Sequence, residues 1–185
     1  MFRLLSLAAL CCLISACATT GFDSSLENPD WEIAGKIGAR ENALRSTSSM
    51  FQWRQKDDRY VIYLFNTLGQ VQLTLSGNAR KTMAQQPDGK TYQADSPEQL
   101  LMELTGWYFP VSSARFWLQG QTQGHEENIV RSPEGFITGF QTRQWNVSLA
   151  SYQAVDGVFL PHRLKLDQDK LHITLVIKDH ARFTP

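Results

Sequence analysis

The 185-residue chain is 42% hydrophobic and 19% charged, the composition of one ordinary globular domain and too little length for two. Eighteen Lys and Arg balance eighteen Asp and Glu, so there is no cationic footprint for a nucleic-acid backbone, and an aromatic content of 11% argues against disorder. All three cysteines (Cys11, Cys12 and Cys17) sit near the N-terminus, which leaves the body without a disulfide framework or a cysteine-based metal site.

Met1 to Cys17 reads as an export signal, with Arg3, an apolar run from Leu4 to Ile14, and the small pair Ser15-Ala16. The run is shorter than the ~20 residues of a permanent transmembrane helix. Leu13-Ile14-Ser15-Ala16-Cys17 resembles a lipobox, where bacterial lipoproteins are acylated on the cysteine and cleaved just before it; the alternative is an ordinary core cysteine. The resemblance implies a signal peptide over 1–16 and a lipid-anchored mature chain beginning at Cys17. Ala18 stands where an aspartate would mark inner-membrane retention, which implies sorting to the outer membrane. Ala18 to Asn28 is small, polar and aperiodic, and reads as a tether, so residues 17–28 form the lipidated N-terminus.

From residue 29 onward a single domain is expected. Apolar residues recur at every second position: Trp31, Ile33, Ile37 and Ala39; Phe51 and Trp53; Val71, Leu73 and Leu75; Trp145, Val147 and Leu149; Leu171, Ile173, Leu175 and Ile177. Period two means strands with one buried face. Turn signals at Lys56–Arg59, Ser76–Asn78, Pro87–Gly89, Ser132–Gly135 and Asp167–Lys170 separate about eleven strands with antiparallel spacing. Ser96-Pro97-Glu98-Gln99 interrupts that period with a cap, a proline at the first helical position and a glutamine able to close a capping box. Leu100, Leu101 and Leu104 follow at helical spacing, Gly106 is a stop, and a second short helix is predicted from Ser112 to before Gly120.

The predicted fold is therefore mainly β, an antiparallel sheet of about eleven strands with a short helical lid across its concave side and more inner surface than the lid can cover, which leaves room for an apolar cavity. Phe51, Trp53, Tyr60, Ile62, Leu64, Leu73, Phe136, Phe140, Trp145 and Val147 supply the inner faces, and Leu100, Leu104 and Trp117 face them from the helices. Such a lining suits an apolar ligand, and a solid hydrophobic core explains each residue equally well.

Catalytic signatures are absent from the sequence. His125, His162, His172 and His180 are isolated, and there is no Gly-x-Ser-x-Gly elbow, phosphate-binding glycine loop or Cys-x-x-Cys. No enzyme activity, metal or cofactor is expected. Asn66-Thr67-Leu68-Gly69 reads as a hairpin tip carrying an apolar residue where it cannot reach the core. Insertion of Leu68 into a bilayer or groove and a plain exposed leucine both fit.

These parts together resemble the LolB family of outer-membrane lipoprotein receptors. The resemblance runs from Cys17 through Phe65-Asn66-Thr67-Leu68-Gly69 to Leu104-Thr105-Gly106, Pro110 and Ala114-Arg115-Phe116-Trp117-Leu118-Gln119-Gly120. It implies an incomplete antiparallel β-barrel of eleven strands with a helical lid over an apolar cavity, in an outer-membrane, lipid-anchored, periplasm-facing protein, expected to be monomeric, that accepts acylated lipoproteins from the periplasmic carrier LolA and inserts them into the outer membrane. Leu68 maps onto the family's membrane-targeting leucine, and Thr67 stands where proline often precedes it, which predicts a less rigid loop. The rival expectation is a lipid-anchored carrier of another apolar ligand; an envelope hydrolase and a filled-core scaffold are more distant ones.

Overall fold

The computed structural model describes residues 25–41 and 45–182; the signal peptide, Cys17 and most of the tether lie outside the described residues. Eleven strands form one antiparallel sheet: β1 (Trp31–Glu41), β2 (Arg45–Lys56), β3 (Arg59–Phe65), β4 (Val71–Gly77), β5 (Thr82–Gln85), β6 (Thr91–Ala94), β7 (Glu127–Arg131), β8 (Ile137–Gln141), β9 (Asn146–Val155), β10 (Val158–Gln168) and β11 (Leu171–Arg182). Two helices, α1 (Pro97–Thr105) and α2 (Val111–Trp117), fall between β6 and β7. The strand order is β6-β5-β4-β3-β2-β1-β11-β10-β9-β8-β7, so the sheet is not closed into a barrel and its edges are β6 and β7.

The sheet is two hairpin meanders joined at their centre by β1 and β11, which pair over their whole length from Trp31↔Arg182 to Glu41↔Leu171. A bulge between Ala34 and Gly35 resets the register, so that Gly35 faces Ile177. Here glycine is required by space, since a Cβ at Gly35 would lie 2.1 Å from the carbonyl oxygen of Val176. On β1 the predicted alternation holds, with Trp31, Ile33 and Ala39 buried; on β4 it fails at Val71, which is exposed at the strand's outer end. Gly77 belongs to β4 rather than to a turn, and its missing side chain admits Lys81 O, 2.4 Å from where a Cβ would sit.

α1 begins as its sequence demands. Ser96 Oγ accepts from Gln99 N at 3.2 Å, Pro97 opens the helix, and Gly106 ends it at φ 75° with its N–H on Met102 O. The capping box does not close, because the Gln99 side chain donates to Glu103 Oε1 instead. α2 starts one residue before the predicted position, and Ser112 N donates to Glu98 Oε1 at 2.7 Å, so a side chain of α1 caps α2. Leu100, Leu101, Val111, Ala114, Trp117 and Leu118 are buried in the same core as the inner face of the sheet.

Several buried polar atoms within this core are matched. Tyr60 Oη and Thr82 Oγ1 lie 2.6 Å apart, and Trp53 Nε1 donates to Gln55 Oε1 while Gln55 Nε2 donates to Asp57 O. Burial pushes the Tyr60 hydroxyl far above its usual range, so it stays a neutral hydrogen-bonding group. Beyond α2, Glu126 gathers Trp117 Nε1 and the backbone N–H groups of Gln123 and His125. Its partial burial acts to raise the carboxyl pKa, but these donors outweigh it and hold the pKa below the usual 4.5.

Two expected outcomes follow from these contacts. Gly35→Ala should destabilise the fold by about 2–3 kcal/mol or more, because the obstacle is backbone that cannot rotate away; denaturant melts of the soluble domain measure it. Because the Glu126 pKa is depressed by folding, its contribution is present above the unfolded value and is lost as pH falls through the folded one. Glu126→Gln should therefore lower stability at neutral pH and flatten its fall under acid, read from melting temperature between pH 7 and pH values below about 4.

Candidate functional site

A pocket of about 360 Å³ opens between the buried face of the sheet and the helical segment, within the range of roughly 300–1,000 Å³ common for ligand sites. Six of the residues anticipated from sequence line it: Phe51 and Trp53 on β2, Ile62 and Leu64 on β3, Leu73 on β4 and Leu104 on α1. Period two accounts for the strand residues, whose side chains point to one face, and the register Phe51↔Leu64↔Leu73 sets three of them side by side across three strands. Trp53 is 1% exposed and packs its ring 5.6 Å from that of Trp31.

The other seven anticipated residues, Phe140 among them, lie outside the lining because each is occupied by packing. Tyr60 is held by Thr82, and Leu100 and Val147 are buried in the core. Trp117 gives its N–H to Glu126 and its ring edge to Phe140 at 5.4 Å. Trp145 stacks on Tyr108 at 6.3 Å. Phe136 is half-buried and stacks on Tyr152 at 4.8 Å and against Phe159 at 5.2 Å, an aromatic cluster beside the β9–β10 hairpin.

Sequence reasoning missed part of the wall. Ile37 and Ala39 on β1 and Ile173 and Leu175 on β11 line the pocket, as do Leu101, Trp107, Phe109 and Val111 from the helical segment. The strand residues carry a visible alternation, but only the pairing of the first strand with the last brings them to the centre of the site. Trp107 and Phe109 lie in the irregular link between the helices, where no period marks a face. Polar groups also contribute, among them Thr47, Ser49, Gln72, Gln86 and Thr105.

Leu68 stands apart from this lining. It is 80% exposed at the tip of the β3–β4 hairpin. Gly69 takes the left-handed conformation at φ 79°. Asn66 Oδ1 accepts from both Leu68 N and Gln70 N at 2.9 Å, and Asn66 Nδ2 donates to Gln70 Oε1. That bracing comes from the residue before Thr67, so the tip has support of its own without a proline.

The histidines isolated in sequence are not all isolated in the fold. His172 Nδ1 lies 2.6 Å from Asp167 Oδ1 across the β10–β11 hairpin, and the rings of His162 and His180 lie 6.0 Å apart. Neither pair lines the pocket, and among the described residues no three metal-ligating side chains cluster.

Comparison with known proteins bears on the same region. The family model described as outer membrane lipoprotein LolB matches residues 29–179. The outer-membrane lipoprotein LolB of Pseudomonas syringae pv. syringae is 33% identical over 157 residues, covering 84% of this chain and 75% of that protein. The corresponding protein of Pseudomonas fluorescens is 32% identical over 150 residues, covering 80% and 73%. Among solved structures, a LolA superfamily protein from Nitrosomonas europaea aligns with a TM-score of 0.53 at 10% identity, covering 85% of this chain and 87% of the other. A putative outer membrane lipoprotein-sorting protein domain from Vibrio parahaemolyticus aligns with 0.54 at 8%, covering 86% and 87%. At those identities the structures speak for the fold, while the family model and the relatives at about one-third identity speak for descent: this chain belongs to the LolB family of outer-membrane lipoproteins.

Proposed function

We propose that this chain is the outer-membrane receptor that accepts acylated lipoproteins from the periplasmic carrier LolA and places them in the outer membrane. The observation that carries the reading is the pocket, an apolar recess walled by sheet and helices and reaching the protein surface. Family membership supports a non-catalytic role in lipoprotein localization, with the protein anchored to the outer membrane and facing the periplasm.

Roughly 0.8 kcal/mol per methylene opposes exposure of an acyl chain to water, so a multiply acylated cargo must pass directly from one apolar site to another. No covalent chemistry is needed. Direction requires only that this pocket hold the chains more tightly than the carrier does, and that the bilayer hold them more tightly still. A volume of about 360 Å³ lies near the lower end of the range for ligand sites and is small for several acyl chains at once. Loading of several chains is proposed to move α1 and α2 off the sheet as a lid. That movement would uncover Leu100 and Trp117, and deeper chains would meet Tyr60, Trp145, Val147 and Phe136.

Leu68 is proposed to set the mouth against the membrane. The chain enters the sheet at the opposite end, where Asp30 N donates to Gln55 O and Asp57 N donates to Asp30 Oδ2. From the register, the tip lies roughly 25 Å along the strands from that end, at about 3.3 Å per residue. The nine steps from Cys17 to the buried Leu26 can span about 30 Å when extended, so lipid anchor and leucine tip reach the same bilayer.

The decisive measurement is transfer of an acylated lipoprotein from loaded carrier to a soluble Cys17→Ala protein, with unacylated cargo as control. Acyl-dependent transfer is expected; no transfer from an authentic loaded carrier overturns the reading. Two variants should divide the process. Leu104→Glu, which puts a charge on the pocket wall, should abolish acceptance. Leu68→Glu should leave acceptance intact but slow delivery to liposomes by about tenfold or more, the loss of roughly 1.5–3 kcal/mol of leucine burial.

A further inference from the structure

Along β2 the side chains that share the inner face change character in sequence: Arg45, Thr47, Ser49, Phe51, Trp53. Thr47 to Trp53 on this face line the pocket. Phe51 and Trp53 are buried at the deep end, and Arg45 stands at the outer end with its side chain 74% exposed. Its guanidinium lies 5.9 Å from the centroid of Trp107, another lining residue, which holds the cation over the mouth. The ion pair from Arg45 to Glu41 spans 3.6 Å, longer than a hydrogen bond, so it does not saturate the planar fork of N–H donors. Farther in, the Ser49 hydroxyl donates to Phe65 O at 3.1 Å.

A plain hydrocarbon ligand gains nothing from a guanidinium and a hydroxyl at the pocket's mouth. An acyl ester does, because its carbonyl oxygens accept hydrogen bonds, its linkage donates none, and it sits where chain meets head group. We infer that Arg45 and Thr47 form a carbonyl-recognising collar, which hydrogen-bonds the ester and amide carbonyls of the cargo's acyl linkages while Phe51 and Trp53 take the hydrocarbon. This rests on the acyl-receptor reading and adds a specificity element to it: the receptor distinguishes acylated from merely alkylated molecules. Arginine suits the position because its guanidinium is weakly hydrated and stacks on an aromatic face while donating in its own plane.

The test is titration of the soluble Cys17→Ala protein with two fluorescent lipopeptides of equal chain length, one a diacyl ester and one its dialkyl ether. The ester should bind about tenfold more tightly or better, the ratio expected for a charge-assisted hydrogen bond. The double variant Arg45→Ala, Thr47→Val should abolish the ester-over-ether ratio, bringing it to about one, while both probes still bind, which also shows that the pocket is intact. Equal binding of both probes by the unaltered collar, or an ester preference that survives the double variant, overturns the collar and leaves the receptor reading standing. Binding of neither probe overturns both.

Discussion

The pairing of the first strand with the last is the constraint on which the architecture rests. β1 and β11 form the middle of the sheet, and their inner residues Ile37, Ala39, Ile173 and Leu175 form the central strip of the pocket wall. On one side β2 to β6 run outward as a meander, and on the other β10 to β7 do the same, so the two edges of the sheet are consecutive in the chain. The segment joining those edges must cross the face of the sheet, and α1 and α2 are that segment. The roof of the pocket is thus a topological result of closing the sheet through its termini, and the β1 bulge, with no side chain at Gly35, is what lets the two strands stay in contact across it.

The site works through what it keeps from water, with no reactive group involved. Several polar groups around it are paired within the protein: Tyr60 with Thr82, Trp53 with Gln55, Trp117 with Glu126. Unpaired, such groups would attract water into the recess and weaken its hold on hydrocarbon. Paired, they present ring faces and methylene edges. At the outer end of β2 donors face the mouth, where the proposed collar would meet a head group rather than a chain.

Much of this was legible in the sequence, for identifiable reasons. Alternation along β1, β2 and β11 reports a half-buried strand directly, and the Ser96-Pro97 start and Gly106 stop of α1 act through local hydrogen bonds. Asn66 and Gly69 marked the hairpin that exposes Leu68, since an Asx side chain and a left-handed glycine are local chemistry too. What stayed hidden depends on distant partners. Ile173 is a strand residue in any reading, and only its pairing with Ala39 puts it in the site. Trp117, Trp145 and Phe136 show the converse: large aromatics invite assignment to a ligand, and here Phe140, Tyr108 and Tyr152 already pack against them. The Gln99 side chain chose Glu103 over the capping box, a competition between neighbours that composition does not decide.

The central β1–β11 pair also bears on how such a chain is made. Trp31 and Arg182 are neighbours in the sheet yet lie at opposite ends of the domain's sequence, and contacts of that separation form slowly because so long a loop must be closed to reach them. Until the last twelve-residue strand is available, β1 lacks one of its two partners and both meanders expose the edges that should meet. For a protein exported as an extended chain, this delays commitment to the native state until nearly every residue has crossed the inner membrane. The apolar interior is then assembled in the compartment where its proposed ligand is found.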